Sequence, residues 1–253
     1  IAFESLNIAF GSEKSPQEIK QIAFDCFENM AKMAVEFMLF LEHRQLIDKY
    51  ISVEGIENLD RALAKGKGVV ALSAHFGNFP LMCVKLALKG YKIRTLLRVM
   101  RDAWVNKYFH DKRESLGVGS VYTQPRDKCV HDSLETLRNK EILLIQLDQN
   151  FGTGGIFVDF FGKKAATAKG TIVFALRCKA PIVTMFIYRG KDNKQTVVIE
   201  PEVEVLEGRD LEETIQLNAQ KLTYIIEGHI RRSPAYWGWI HRRWKARPKE
   251  ERK

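Results

Sequence analysis

The stretch Val69-Val-Ala-Leu-Ser-Ala-His75-Phe-Gly-Asn-Phe-Pro80 decides how this chain folds. Residues 69–72 are a short, uninterrupted apolar run, the pattern of a strand buried on both faces. Small residues follow, then His75, a Gly77-Asn78 break, and an apolar run over 81–88 that predicts a helix. A histidine leaving a buried strand just before a helix faces the crevice at the carboxyl end of a sheet. The free N–H groups and positive dipole end of that helix lie beside it. Such a position suits a general base, and equally a histidine satisfied within its own loop.

Outward from this stretch, short apolar segments alternate with helical patterns. A Ser15-Pro16 start opens a helix whose apolar positions run from Ile19 to Leu41 at helical spacing. Its Met- and Phe-rich stripe is wider than one core contact needs, which fits sheet packing or contact with lipid. Strands are expected at 51–55, 69–72, 91–99, 119–122, 141–147, 181–188 and 196–199. Helices are expected at 56–65, 81–88, 102–116, 127–138, 167–178 and 211–230. This alternation predicts one α/β domain with a central mixed, largely parallel sheet flanked by helices. It divides into an N-terminal helical segment 15–48, a core 50–232 and a basic aromatic tail 236–253. Residues 148–166 read as a long loop, and the phenylalanines in it argue for order.

The chain has 253 residues, 45% hydrophobic and 28% charged, enough for a sizeable core. A net charge of +9 favours a partner with phosphates or carboxylates: nucleic acid, an anionic membrane surface or an acidic carrier protein. Cys26, Cys83, Cys129 and Cys178 are widely spaced and read as reduced core thiols, with no metal site. Nothing in the chain reads as a membrane-spanning segment or a signal peptide.

Four clusters carry candidate chemistry. His75 is the candidate base, with the free N–H groups of the helix after Gly77 as oxyanion donors. Arg98, at the end of the 91–99 strand, has the planar fork that grips phosphate. In the 148–167 stretch, Phe157, Phe160 and Phe161 offer an apolar wall and Gly162 a tight turn. There, Thr167 is read as the cap of the next helix, whose N-terminus is an anion site beside Lys163, Lys164 and Lys169. The tail, Tyr236-Trp-Gly-Trp-Ile-His-Arg-Arg-Trp-Lys-Ala-Arg-Pro248, suits a membrane interface, stacking on nucleic-acid bases, or packing on the core.

Ala74-His-Phe-Gly-Asn-Phe79 resembles the His-Phe-Gly-Asn-Trp-Glu block of the lipid A late acyltransferases, a branch of the lysophospholipid acyltransferase superfamily. Similar blocks recur in order. They include Asn7-Ile-Ala-Phe, Val53-Glu-Gly-Ile-Glu, the strand-end Arg98, the Asp148–Thr167 stretch and the Trp-rich tail, so the resemblance covers nearly the whole chain.

The resemblance implies a glycerolipid-acyltransferase fold. It implies transfer of a fatty acyl group from acyl carrier protein, or acyl-CoA, to a hydroxyl of a phosphorylated lipid A precursor. The setting would be the cytoplasmic face of the bacterial inner membrane, with peripheral attachment or an upstream membrane helix that is missing here. No metal or redox cofactor is implied; the thioester is a co-substrate. His75 would be the base, Asn78 with nearby N–H groups would help hold the oxyanion, Arg98 and the 163–169 lysines would hold phosphate, and the phenylalanines would line an acyl tunnel. One departure matters: the family's His-x4-Asp/Glu signature would put an acid at position 80, and this chain has Pro80. Asp148 is the first candidate substitute and Asp159 the second. Other readings are a lysophospholipid, other glycolipid or amine as acceptor, a catalytically silent lipid-binding relative, and, least of all, a nucleic-acid binder.

Overall fold

The computed structural model describes residues 1–251. In chain order the elements are α1 Ala2–Phe10, α2 Pro16–Glu42, α3 Arg44–Tyr50, β1 Ile51–Glu54, α4 Ile56–Ala64, β2 Val69–Ser73 and α5 Phe79–Leu88. Then come β3 Ile93–Leu97, α6 Ala103–Ser115, β4 Val118–Tyr122, α7 Arg126–Arg138, β5 Ile142–Gln146, β6 Ile156–Phe160 and β7 Lys163–Thr167. The last are α8 Gly170–Cys178, β8 Ile182–Arg189, β9 Gln195–Ile199 and α9 Leu211–Arg232.

Seven strands form one sheet in the order β1-β9-β8-β2-β5-β3-β4, parallel throughout except for the β8–β9 pair. The expected α/β class and largely parallel mixed sheet are therefore what the chain forms. β2 sits between β5 and β8, and all five of its residues are buried. Its pleat sends Val70 and Leu72 to one core, with α7, α8, α9 and the tail, and Val69 and Ala71 to the other, with α4 and α5. Each such buried Val or Leu contributes about 1.5–3 kcal/mol. That is why this run reads as continuously apolar rather than alternating.

The N-terminal helical segment is two helices: α2 starts with the Ser15–Glu18 capping box and ends at Glu42, and α3 follows His43. The helix α1 has no counterpart among the expected elements. The stretch at 148–166 is a loop only as far as residue 155. Residues 156–167 form an antiparallel β6–β7 hairpin turning at Phe161-Gly162, both at positive φ. A turn with two left-handed residues is the hairpin-closing kind, and phenylalanine in the first of them masks the usual Asn-Gly signal. The outer edge of β6 is met by α9 side chains: Gln216 donates to the Phe157 carbonyl, and Gln220 bridges both backbone groups of Asp159.

The connection from β2 into α5 depends on Gly77. Its φ is +55°, and a Cβ there would stand 2.3 Å from the Ile187 carbonyl oxygen of β8. Gly77→Ala is therefore expected to cost roughly 2–4 kcal/mol, combining left-handed strain with a backbone clash. Thermal unfolding should show a clearly lowered midpoint, whereas Gly90→Ala, which meets nothing within 4 Å, should cost less.

Candidate active site

β2 and β5 run parallel in register, with Ser73 opposite Gln146. Two residues past each strand end, the same register sets His75 opposite Asp148. His75 Nδ1 lies 3.0 Å from Asp148 Oδ1, and the His75 backbone N–H donates to Asp148 Oδ2 at 3.0 Å. The indole N–H of Trp237 donates to the same oxygen at 2.7 Å. Asp148 is fully buried. Burial is the largest influence on it and pushes its carboxyl upward. The His75 charge, with hydrogen bonds from His75 and Trp237, outweighs that and holds it well below the ordinary range.

The same balance runs oppositely on His75. Burial is again the largest influence and pulls the imidazole down, but the Asp148 charge and hydrogen bond outweigh it, so its pKa is raised. An ionised Asp148 fixes the proton on Nδ1 of the neutral ring and leaves the lone pair on Nε2. His75 keeps 28% of its side chain exposed, with Phe79 packed edge-on against it at 5.2 Å. This is a buried acid and an oriented imidazole whose Nε2 lone pair faces away from the carboxylate.

The tail closes the site. Gly238 N–H donates to the His75 carbonyl at 3.2 Å, and Phe76 pairs with Trp237 as an isolated bridge. Arg243, completely buried, donates to the carbonyls of Gln149 and Ala166 and to the Thr167 hydroxyl. Burial pulls its pKa down to about 10 while the Asp148 charge opposes the fall. Gln149, beside Asp148, places its amide nitrogen 3.0 Å from His75 Nε2 and 3.2 Å from His241 Nε2.

Several sequence expectations are corrected here. Asn78 is buried and its amide points to α2, donating to the Met33 carbonyl and Glu36 at 3.3 Å each, so it is not presented to a reacting oxygen. Phe160 and Phe161 do not line a tunnel: both are packed among Phe10, Trp237, Trp239 and Trp244. Phe157 is half-buried on β6. Thr167 does not cap a helix; it ends β7, and α8 begins three residues later after Lys169. Lys163 and Lys164 sit at the Gly162 turn, about 13 Å along an extended strand from Thr167, so they do not gather with Lys169. Asp159 faces Lys164 at 3.2 Å, which leaves Asp148 as the carboxylate on His75.

Arg98 is exposed, just past the carboxyl end of β3, the strand next to β5. The tail is not an interfacial belt either: Trp237, Trp239 and Trp244 are buried, so their indoles are closed to headgroups and bases alike. Gln149 and His241 are the site residues missed in the sequence. The Asp-Gln dipeptide after a buried strand was their one local signal, and their contact joins residues 92 positions apart.

An α/β sheet with a histidine–aspartate pair at its carboxyl edge defines a class of hydrolytic and group-transfer enzymes. The comparisons narrow it. Residues 1–246 match the family model for bacterial lipid A biosynthesis acyltransferases, and the chain belongs to that family. It is 26% identical over 262 residues to the Lipid A biosynthesis palmitoleoyltransferase of Escherichia coli (strain K12), covering 98% of this chain and 79% of that protein. It is likewise 26% identical over 218 residues to a Phosphatidylinositol mannoside acyltransferase of Mycobacterium tuberculosis, covering 84% of this chain and 66% of that protein. Among solved structures, the 1-acyl-sn-glycerophosphate (LPA) acyltransferase PlsC of Thermotoga maritima aligns over 94% of this chain and 95% of its own. The TM-score is 0.45 and the identity 15%. Membership of that family makes the protein an acyltransferase.

The electrostatic balance gives a direct test. Nitrogen NMR of the ring should show His75 titrating above the ordinary histidine value of about 6.5. In Asp148→Asn the raising charge is gone and burial remains, so the titration should fall below that value. An unchanged midpoint would show that the carboxylate does not govern the imidazole.

Proposed function

We propose that the chain moves a fatty acyl group from acyl carrier protein, or from acyl-CoA, to a hydroxyl of a phosphorylated lipid A precursor, with His75 as general base. The observation that carries this is the 3.0 Å contact between His75 Nδ1 and the buried Asp148, which leaves Nε2 as the oriented acceptor of the ring. His75 Nε2 takes the proton of the acceptor hydroxyl as its oxygen bonds to the thioester carbonyl carbon. Collapse of the tetrahedral oxyanion breaks the carbon–sulfur bond, and the departing thiolate takes the proton back from Nε2. Asp148 keeps the tautomer and stabilises the imidazolium, so the missing acid at Pro80 does not leave the base unsupported. Pro80 instead lies in the first turn of α5, where a backbone N–H is not needed.

In this reading Arg98, exposed and one strand beyond Asp148 on the same edge, holds the phosphorylated head. No helix among the described residues is long and apolar enough to cross a membrane. Yet α2 exposes Phe24, Phe27, Val35, Met38 and Leu39 at helical spacing. That stripe, with Lys20 and Lys32 on the same helix, supports peripheral contact with an anionic membrane surface. A second acceptor class is favoured by the similarity to the mycobacterial protein, whose name gives a phosphatidylinositol mannoside.

Purified protein with acyl carrier protein thioester should acylate the phosphorylated lipid A precursor. His75→Ala should lower the rate by about 10²–10⁴-fold. Lysophospholipid and phosphatidylinositol mannoside, run in parallel, identify the acceptor. Equal turnover in parent and His75→Ala would remove His75 from the mechanism. Arg98→Ala should raise KM for the phosphorylated acceptor more than it lowers kcat.

A further inference from the structure

His75 Nε2, the atom that must receive the acceptor's proton, is already occupied. The Gln149 amide nitrogen stands 3.0 Å from it and 3.2 Å from Nε2 of His241, so one NH₂ group spans two imidazoles. The rings lie 5.2 Å apart and edge to face. Asp148 fixes the orientation of the amide: with Nδ1–H committed to the carboxylate, neutral His75 presents only a lone pair at Nε2. Gln149 must then face it with N–H rather than with its oxygen. The second amide hydrogen reaches His241, whose pKa is held below the usual histidine value by burial and by His75.

Gln149 is itself held in place. Its backbone carbonyl accepts from buried Arg243 at 3.1 Å, and the turn through Gly238 that carries His241 is fastened to the His75 carbonyl. Its side chain is nonetheless exposed, so a ligand can reach it. The groups around the imidazole are Asp148 from the end of β5, His241 from the tail and the apolar ring of Phe79 from α5. Arg243 acts through Asp148 and the Gln149 carbonyl.

We propose that Gln149, clamped between His75 and His241, is a positioning residue that caps the lone pair of the base and is displaced from it by the acceptor hydroxyl. The cap stabilises the neutral ring with its proton on Nδ1, the form that can accept. When the acceptor takes the place of one N–H, the amide keeps its bond to His241 and stays beside the reacting carbonyl. The inference rests on the transferase reading for its consequence in turnover, but not for the clamp itself.

The clamp makes a signed prediction. A hydrogen bond donated to the neutral imidazole lowers its pKa, so Gln149→Ala should raise the His75 titration by roughly half a unit to one unit. Gln149→Glu puts a carboxylate against Nε2, demands a proton there and should raise the titration by about one unit or more. His241→Phe keeps a ring at that position without an acceptor and should shift it upward by less than Gln149→Ala. Ring-nitrogen NMR of His75 reads all three without turnover, and circular dichroism checks that each variant is folded. In the acylation assay the acid limb of kcat/KM should move to higher pH with the NMR midpoint. Gln149→Glu should lose about 10²-fold or more near neutral pH. A parent ring protonated on Nε2 instead of Nδ1, or midpoints that stay put in both Gln149 variants, would overturn the clamp whatever the turnover. Shifts as expected in a protein that transfers no acyl group would uphold the clamp and remove the transferase reading.

Discussion

Asp148 sits with no exposed surface at the end of a central strand, and an ionised carboxylate there must be met by donors. Three converge on it: the His75 ring, the His75 backbone N–H and the Trp237 indole. They come from two parts of the chain far apart in sequence, one leaving β2 and the other in the tail after α9. Satisfying this one charge therefore fixes the β2 exit, the β5 exit and the return of the C-terminal segment together. The orientation of His75 follows from that fixation.

The tail, whose composition suits a membrane belt, is used up in this task. Its indoles fill the core face beneath the β6–β7 hairpin, and the Trp244 N–H donates to the Phe160 carbonyl. Buried Arg243 takes three acceptors from the loop after β5 and from β7. An arginine's fork of donors suits the job, because a single cation can tie several backbone carbonyls that would otherwise lack partners. An exposed apolar stripe lies instead on α2, through Phe24, Phe27, Val35, Met38 and Leu39.

Much of this was legible from composition and spacing. Continuous apolar runs separated by helical patterns gave the α/β class, the order of strands along the chain and the position of His75 at a strand exit. Asp148 stood out as a carboxylate leaving another buried strand. The hairpin escaped because Phe161-Gly162 does not look like a hairpin turn. Asn78 was misread because its partner, Glu36, lies on a helix 42 residues earlier and is itself tied to Arg189 of β8. Gln149 and His241 escaped because each is an ordinary polar residue until the two are brought together.

The sequence alone determined which segments bury themselves, because burial depends on the chemistry of each run and its neighbours along the chain. It also determined that an imidazole and a carboxylate leave separate core strands at the same kind of boundary. Only the tertiary structure decided that β2 and β5 are neighbours in a register that sets those two residues opposite each other. Only it decided that the tail supplies the third donor. Strand adjacency is fixed by how whole sheet faces pack, and no local pattern of residues encodes that choice.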